Sequence, residues 1–417
     1  MAQRRVVVTG MGALSSLGAG LDVNAAALRA GRSGVTFNAD FAERGFASQV
    51  SGAPATPPDC PLADRRIVKS SSAGALMALW ATHEALADAA LPLDQVRGSD
   101  LPVIVGAGTG SSLDNHIAAS SMEKHGSTKR VSPYTVPHVM ASSAAANVSV
   151  ALGAKGESWA VSSACSTGAH AIYLASLLIK AGRYDRVLVG AAEEADWTRA
   201  GAFDAMFALS RRFNDRPSEA SRPFAGDRDG FVISGGAGIL VLEDLETARR
   251  RGARIHAELL GAAANSDGHD MVAPLPAGAA AVMRMALDQA GLRPDEIDYV
   301  NAHGTSTPQG DVSEATAMRD VFGARQPWIS STKSLTGHAV GAAGSLEAIY
   351  TILMLERRFL APSVNVTPAT VDPECAGLRL VLEADNDLAP RVALSNSFGF
   401  GGTNACLALR RWDEGAA

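Results

Sequence analysis

Short apolar runs and helical patterns alternate along almost the whole chain, and this alternation limits the fold more than any other feature. Strands are predicted at Arg5–Thr9, Pro102–Gly106, Ser158–Val161, Arg186–Gly190, Gly230–Ser234, Gly238–Leu242, Ile255–Ala262, Asp298–Asn301, Trp328–Ser331, Val392–Ser395 and Ala405–Leu409. Helices are predicted at Val23–Ala30, Ser71–Ala89, Pro137–Leu152, Ser166–Ala181, Leu245–Arg251, Ala277–Ala290, Val312–Phe322 and Ser345–Arg357. Such alternation favours mostly parallel sheets covered by helices, so the sequence predicts an α/β fold.

The pattern of strands and helices runs twice along the chain. One series ends near Asp244, and a second begins near Ile255 after the basic run Arg249–Arg251. We therefore expect two similar halves, residues 1–250 and 251–417, joined in one body because no long linker separates them. The stretch 38–61 is rich in proline, alanine and polar residues and is predicted to be irregular.

Composition excludes several classes of protein. The 417 residues have a formal net charge of -6, which does not favour nucleic acid as a partner. The four cysteines, Cys60, Cys165, Cys375 and Cys406, form no CxxC pair, so neither a zinc site nor a disulfide framework is indicated. Neither a signal-peptide core nor an apolar run of membrane-spanning length is seen, and a cytoplasmic protein is expected.

The strongest candidate for a reactive group is Cys165. It lies in the small-residue run Ser162–Gly168, between a predicted strand and a predicted helix. At a helix N-terminus the dipole and unpaired N–H groups favour the thiolate, which is the nucleophilic form of cysteine. The run alone also fits a buried, inert cysteine. It therefore indicates covalent catalysis without deciding it.

Three further candidates follow predicted strands in the second half. His303 lies on a Gly/Thr loop after Asp298–Asn301, and Lys333 and His338 lie on a Gly-rich segment after Trp328–Ser331. In open α/β sheets, ligand sites lie at such strand ends. Taken singly, each histidine could be structural and the lysine could be an exposed surface residue.

The fifth candidate is the glycine-bracketed loop Ser395–Asn404. Its glycines permit positive φ and close backbone approach, so the loop could be a plain hairpin turn or a backbone N–H donor with a mobile aromatic gate. Together the cysteine, two histidines, lysine and loop fit thioester chemistry. The thiolate would attack, the imidazoles would stabilise an enolate, and N–H groups would bind an oxyanion.

Other motifs are discounted. Gly10–Ser15 has serine where a dinucleotide fingerprint needs its third glycine, and Gly106–Gly110 lacks the Gly-Lys-Ser/Thr ending of a phosphate loop. The residues His116, His125 and His138 do not have metal-ligand spacing, and no metal site is predicted.

With these motifs in view, the chain closely resembles the β-ketoacyl-[acyl-carrier-protein] synthases, the condensing enzymes of fatty-acid synthesis. The matching motifs are Ser163–Thr167, Ala302–Thr307, Lys333 with Gly337-His338, Asn396–Asn404, Phe203–Met206, Ser221–Phe224 and Asp227–Phe231. The resemblance runs from about Val6 to Leu409, and the stretch Ser266–Pro274 is more like the synthase I branch than the synthase II branch. It implies a thiolase fold, with two similar halves stacked as five α-β-α-β-α layers.

The resemblance also implies roles for the candidate residues. Cys165 takes the acyl chain from acyl-carrier protein, and His303 and His338 hydrogen-bond the malonyl thioester oxygen as decarboxylation makes an enolate. The backbone N–H groups of Cys165 and Phe400 form the oxyanion hole. The supporting roles are ordering of the histidines (Lys333, Glu314), gating (Phe398) and contact with the pantetheine arm (Thr305, Thr307).

Partners and specificity follow from the same resemblance. The acyl pocket is expected to include Thr109, Gly110, Phe203 and Met206. Carrier protein is acidic, so two basic clusters are expected to dock it: Arg65, Arg66 and Lys69, and Lys124, Lys129 and Arg130. The substrates are carried on phosphopantetheine and no resident cofactor is expected. The usual assembly is a homodimer, and a heterodimer with a related subunit is possible.

Three alternatives stay open or are opposed by the sequence. A condensing enzyme of a polyene or other secondary lipid pathway would have the same site. A non-catalytic chain-length-factor-like subunit would lack the active-site cysteine, which is present here as Cys165. A thiolase acting on coenzyme A esters is opposed by the Cys-His-His set with the Lys333 motif.

Overall fold

The computed structural model describes residues 4–56 and 59–413, and the predicted irregular stretch 38–61 falls partly outside these ranges. The strands are β1 Val6–Ser15, β2 Gly18–Ala19, β3 Thr36–Phe37, β4 Val50–Ser51, β5 Val103–Gly106, β6 Ser158–Trp159, β7 Arg186–Glu193, β8 Gly236–Asp244, β9 Ala257–Ser266, β10 Tyr299–Asn301, β11 Trp328–Ser330, β12 Arg379–Leu380, β13 Val392–Gly399 and β14 Thr403–Arg411. The helices are α1 Leu21–Arg29, α2 Ala39–Glu43, α3 Arg65–Ser70, α4 Ala73–Asp88, α5 Leu93–Val96, α6 Ser112–His125, α7 Thr135–Val139, α8 Ser143–Leu152, α9 Thr167–Lys180, α10 Trp197–Ala205, α11 Leu245–Arg250, α12 Pro276–Ala290, α13 Pro308–Phe322, α14 Lys333–Thr336 and α15 Ala343–Arg357.

The main sheet repeats one strand arrangement on either side of a central junction, where β1 pairs with β9. Its order is β12-β11-β10-β13-β14-β9-β1-β8-β7-β5-β6, with β2 paired to β1. Outward from the junction, β1, β8 and β7 are antiparallel and β5 and β6 continue in parallel. Likewise β9, β14 and β13 are antiparallel and β10 and β11 continue in parallel. The expectation of mostly parallel sheets is therefore wrong, because each half has antiparallel strands at its centre.

Helices cover both faces of this arrangement in five layers. Helices α9 and α15 form the middle layer and contact strands of both halves, β7 and β8 on one side and β14 on the other. Helices α4 and α8 cover the outer face of the first half, and α12 and α13 cover that of the second.

The glycines of the first strand serve close packing. A Cβ atom at Gly10 would lie 2.3 Å from the carbonyl oxygen of Ala85, and one at Gly12 would lie 2.0 Å from that of Ala81. Both contacts are to α4. Gly10 and Gly12 therefore allow this helix to lie against β1, which agrees with discounting them as a dinucleotide motif.

Several predicted elements differ from the structure. The predicted helix Pro137–Leu152 is two helices, α7 and α8, because the chain is non-helical at 140–142. The predicted strand Gly230–Ser234 makes only isolated bridges, through Phe231, Ile233 and Ser234. Helices α6 and α10 were not predicted. Only Ala118 of α6 is fully buried, so its sequence has no apolar periodicity to detect.

No helix in the described residues is long and apolar enough to cross a membrane.

Candidate active site

The nucleophile candidate lies at the start of a middle-layer helix. Cys165 is the central residue of a 3₁₀ turn, Ala164–Ser166, that leads directly into α9. Ala164 has a φ of 49°, which is rare for a residue with a side chain. The turn is fixed locally, since the Thr167 hydroxyl donates to the Ala164 carbonyl at 2.7 Å and accepts from the Ser163 N–H at 2.9 Å. The strained turn aims Cys165 inward, where it is 9% exposed.

The protonation state of Cys165 is opposite to the sequence-based expectation. Burial raises the pKa of the Cys165 thiol to about 11, although the Lys333 cation and the Phe400 N–H both lower it. The expectation that the helix N-terminus favours the thiolate is therefore wrong for the resting protein. Desolvation of the charged form outweighs the favourable charges, so the resting group is a thiol.

His303 is held through its backbone. It follows β10 and Ala302, and its N–H donates to the Glu314 carboxylate at 2.9 Å, while the Gly304 N–H donates to the same carboxylate at 2.7 Å. Asn396 of β13 also donates to Glu314, at 3.1 Å. Glu314 is fully buried on α13, and this burial raises its pKa. The carboxylate thus fixes the turn that carries His303 rather than contacting the imidazole.

Lys333 is buried beside the imidazole of His303. Its Nζ lies 3.4 Å from His303 Nδ1 and forms an ion pair with Glu347 of α15. Lys333 is 1% exposed, so the alternative of a surface lysine is wrong. Burial raises the pKa of Glu347 to about 7, while Lys333 opposes this shift.

Sequence reasoning missed Glu347. The available signal was one carboxylate inside the otherwise uncharged stretch Ala343–Leu355 of a helix, and this stretch is entirely buried. A buried charge requires a partner, and Lys333 was the lysine that the motifs already placed near the site.

His338 completes the pair of imidazoles. Its backbone is fixed by a bridge to the segment before β8, with its N–H donating to Val232 O at 2.7 Å and its carbonyl accepting from Ser234 N at 2.9 Å. The rings of His303 and His338 are nearly perpendicular, with centroids 5.3 Å apart. Neither ring nitrogen of His338 hydrogen-bonds to another described residue, although both are buried. They are available to a substrate oxygen.

Both imidazoles are neutral at physiological pH. Burial lowers the pKa of His303 and of His338 well below the usual value, and the Lys333 cation lowers both further. A like charge nearby opposes protonation of an imidazole. Each ring can then donate one N–H to an oxygen without carrying a charge itself.

The glycine-bracketed loop joins β13 to β14 beside these groups. Gly401 and Gly402 have φ values of 80° and 68°, which favour glycine. The Phe398 ring lies 5.8 Å from His303, and the backbone N–H of Phe400 hydrogen-bonds to Cys165. This places Phe400 where an oxyanion donor is predicted.

One cavity of about 390 Å³ connects these groups. The predicted residues that line it are Cys165, His303, His338, Glu314, Thr305, Thr307, Phe398, Phe400, Phe203 and Met206. The hydroxyls of Thr305 and Thr307 lie 3.0 Å apart. Thr109 and Gly110 do not line this cavity. They contact Arg199 instead, and their place in the acyl pocket stays a prediction.

The predicted docking residues are all exposed. Arg65, Arg66 and Lys69 lie on α3, Lys124 lies near the end of α6, and Lys129 and Arg130 lie in the following 3₁₀ turn. None of the six forms an ion pair with another described residue. In the described residues, no group of histidine, cysteine or carboxylate side chains could hold a metal ion.

Comparison with known proteins agrees with this site. Residues 3–248 match the family model for the β-ketoacyl synthase N-terminal domain, and residues 256–367 match that for the C-terminal domain. The chain belongs to the β-ketoacyl synthase family. It is 43% identical over 410 residues to 3-oxoacyl-[acyl-carrier-protein] synthase 1 of Haemophilus influenzae, covering 98% of this chain and 100% of that protein. The corresponding Escherichia coli K12 protein is 44% identical, covering 98% of this chain and 99% of that protein.

Solved structures of ketosynthases share the fold. A β-ketoacyl synthase from Burkholderia phymatum superposes with a TM-score of 0.91 at 38% identity, covering 98% of this chain and 100% of that one. The ishigamide ketosynthase/chain length factor gives 0.90 at 33% identity, covering 99% and 100%. The predicted thiolase fold is confirmed. The likeness to the synthase I branch is also confirmed, because the relatives at 43% and 44% identity are both named synthase 1.

Proposed function

We propose that this synthase catalyses the decarboxylative Claisen condensation of an acyl group held on Cys165 with malonyl-acyl-carrier protein, in fatty-acid chain elongation. The products are 3-oxoacyl-acyl-carrier protein and CO2. One observation carries the proposal: the thiol of Cys165 shares a cavity with two neutral imidazoles, His303 and His338. The relatives named 3-oxoacyl-[acyl-carrier-protein] synthase 1 support the same reaction.

The first half-reaction moves the acyl group to the enzyme. The Cys165 sulfur attacks the carbonyl carbon of the acyl thioester, the thiol proton leaves, and the pantetheine sulfur departs with a proton. The oxyanion of the tetrahedral intermediate accepts hydrogen bonds from the N–H groups of Phe400 and Cys165. Removal of one such donor typically costs about 10²–10³ in rate.

The second half-reaction makes and uses a carbanion. The bond between the malonyl carboxylate and Cα breaks, CO2 leaves, and the electron pair forms an enolate whose oxygen accepts from His303 and His338. The enolate carbon then attacks the acyl carbon on Cys165, and the sulfur leaves and regains a proton. Decarboxylation needs an electron sink rather than a strong base, which suits neutral imidazole donors.

The proposed chemistry uses no resident cofactor, because the malonyl thioester carbonyl itself accepts the electron pair. The phosphopantetheine arm belongs to the substrate and would pass Thr305 and Thr307 to reach Cys165. Activity that survives exhaustive treatment with a chelator is the expected result. Loss of activity that added metal restores would contradict it.

We propose that the two exposed basic clusters dock the acidic carrier protein. Six cations without an ion-pair partner among the described residues offer net positive charge to an acidic surface. Lys129→Glu with Arg130→Glu should raise the KM for malonyl-carrier protein and weaken its salt dependence. Arg293→Glu, on an exposed turn with its own acidic partners, is the matched control.

We also propose a homodimer. Exposed apolar side chains, Ile117, Tyr134 and Val136, lie on α6, α7 and the segment between them. A second copy would cover them. Sedimentation should give twice the chain mass, and Val136→Asp should give a monomer. A monomeric wild-type protein that binds a related subunit would point to the heterodimer instead.

The cytoplasmic location stays a prediction from the sequence.

The experiment that tests the function is a pair of single variants. Cys165→Ala should accept no acyl group and give no condensation, because no thioester can form. His338→Ala should still be acylated on Cys165 but should not decarboxylate malonyl-carrier protein. Elongation by the Cys165→Ala protein would contradict the mechanism, and lost acylation in His338→Ala would show that its assigned role is wrong.

A further inference from the structure

The acyl chain on Cys165 needs an apolar site beside the sulfur. Cys165 packs in a hydrophobic cluster that includes Ala200, Val340 and Phe231, with Phe203 against it. Ala200 and Phe203 belong to α10. These side chains form the near wall of the acyl site. That an acyl group occupies this apolar site rests on the proposed function.

Directly behind this near wall lies a buried ion pair. Arg199 precedes Ala200 on α10, and it shares a helix face with Phe203 because the two are four residues apart. Its guanidinium donates to Glu193 Oε1 at 2.5 Å, and the two residues are 7% and 1% exposed.

The ion pair is fixed to the backbone around the near wall. The other oxygen of Glu193 accepts from the Gly341 N–H at 3.0 Å, directly after Val340, and from the Gly108 N–H at 2.7 Å. Glu193 is close enough to Cys165 that its charge opposes ionisation of the thiol and raises the pKa. Charged and hydrogen-bonding groups therefore lie directly behind the apolar side chains that contact Cys165.

The face of Arg199 away from Glu193 meets the residues that were expected in the acyl pocket. Its second terminal nitrogen donates to the Thr109 hydroxyl at 2.5 Å and to the Gly110 carbonyl at 3.3 Å. Thr109 is exposed, so this end of the ion pair is not sealed by the chain itself. The Nε–H of Arg199 donates to no acceptor among the described residues.

We propose that Arg199, with Thr109, forms a polar far wall of the acyl site and sets the acyl specificity of this synthase. An alkyl chain long enough to reach this wall would press methyl groups against a guanidinium and remove water from it without replacing the hydrogen bonds. An acyl group whose far end carries a hydroxyl or other oxygen would accept from Arg199. The site therefore selects short acyl groups, or longer ones with an oxygen at the far end, over long alkyl chains.

The test compares acyl groups that differ only at the far end. Hexanoyl, octanoyl, decanoyl and dodecanoyl carrier proteins, each with its ω-hydroxy counterpart, are offered to wild type and to Arg199→Met. Acylation of Cys165 is followed by intact-protein mass. In wild type, the ω-hydroxy group should react about tenfold faster than the alkyl group at the length that reaches the wall. In Arg199→Met, which keeps an unbranched flexible side chain but lacks the charged guanidinium, this ratio should fall to about one.

Two further variants keep the result decisive. Arg186→Met removes an ion-paired arginine from the opposite end of β7, where Arg186 binds Glu243, and should keep the wild-type profile. Thr109→Val removes the hydroxyl of the wall without touching the ion pair, and it should shift the acyl profile in the same direction as Arg199→Met. It therefore keeps the proposal testable even if Arg199→Met does not fold. Equal profiles in wild type, Arg199→Met and Thr109→Val would overturn this inference alone. Failure of every acyl group to label wild-type Cys165 would overturn the proposed function as well.

Discussion

At the scale of single residues, burial decides the chemistry of the site more than the local helix does. Cys165, His303 and His338 are all buried, and burial disfavours the charged form of each. The result is a neutral thiol facing two neutral imidazoles. These three groups hold no charge at rest, and the negative charge of the reaction develops on substrate oxygens, where N–H groups are already placed to receive it.

The reactivity of Cys165 towards iodoacetamide should therefore rise with pH. Because the pKa of the thiol is raised to about 11, the thiolate fraction grows about tenfold per pH unit throughout the neutral range. The measurement is the rate of carbamidomethylation of Cys165 by intact mass. Cys60, which is half-buried and distant from the site, serves as an internal comparison. A rate that levels off near neutral pH would show a resting thiolate and contradict this account.

The sequence identified the reacting residues and Glu314, which holds the turn of His303, but not Glu347, which pairs with Lys333. Cys165, His303, Lys333 and His338 lie in family motifs, and those motifs are enough to name them. Glu347 was missed, because its partner Lys333 is 14 residues away on α14 and only the fold brings α14 and α15 together at this pair. The protonation of Cys165 also depends on burial, which a local run cannot reveal.

At the scale of elements, α15 supplies a charge to the site from the middle layer. Its Glu347 pairs with Lys333, whose Nζ lies beside His303. Glu347→Leu should lower the free energy of unfolding by about 3–5 kcal/mol, because it leaves the Lys333 ammonium buried and unpaired. Urea unfolding measures this loss.

The double variant separates stability from function. Lys333→Met with Glu347→Leu should regain most of the lost stability, since no unpaired charge remains, but it should still decarboxylate malonyl-carrier protein slowly because His303 has lost its neighbour. If the loss in the free energy of unfolding in the double variant equals the sum of the losses in Lys333→Met and Glu347→Leu, the two side chains do not act as a pair.

Elements were predictable where packing leaves a periodic pattern. The helices α4, α9 and α12 and the strands β8 and β14 were found from the sequence within a few residues, but β1 extends six residues beyond its predicted end at Thr9. Helix α13 begins at Pro308, four residues before its prediction, because the Thr307 hydroxyl caps it by accepting from the Gly310 N–H. Helix α10 was missed. Its role as the support of the acyl site follows from the contacts of Arg199 and Phe203, which only the fold creates.

At the scale of the whole molecule, a buried histidine joins elements of both halves. His256, just before β9, lies 2.9 Å from Asp88 at the end of α4 and 3.3 Å from Glu356 near the end of α15. Although burial opposes the charge, the two carboxylates raise the pKa of His256 to about 9. The imidazolium therefore stabilises the junction where β1 meets β9.

The stability of the molecule should consequently depend on pH. Because the folded-state pKa of His256 is raised, its contribution is complete below the unfolded value near 6.5 and is lost as the pH rises through about 9. The full contribution is on the order of 3 kcal/mol. Urea unfolding of wild type and His256→Gln at both ends of this range measures it. Equal pH dependence of the two proteins would contradict the assignment.

The two-half architecture could be expected from the doubled strand and helix series, but the junction could not. The mirrored strand order around β1 and β9 brings Cys165 of the first half against His303 and His338 of the second. The site therefore exists only when both halves pack on α9 and α15. The boundary at residues 250 and 251 stays a prediction.

The most direct test of the account follows one acyl group through both half-reactions. Wild-type protein is mixed with octanoyl-carrier protein, with hexanoyl-carrier protein as a shorter alternative, and its intact mass is recorded before and after malonyl-carrier protein is added. The account predicts a mass gain on Cys165 that disappears as 3-oxoacyl-carrier protein and CO2 form. An acyl-enzyme that persists after malonyl-carrier protein is added, or product without any acyl-enzyme, would contradict it.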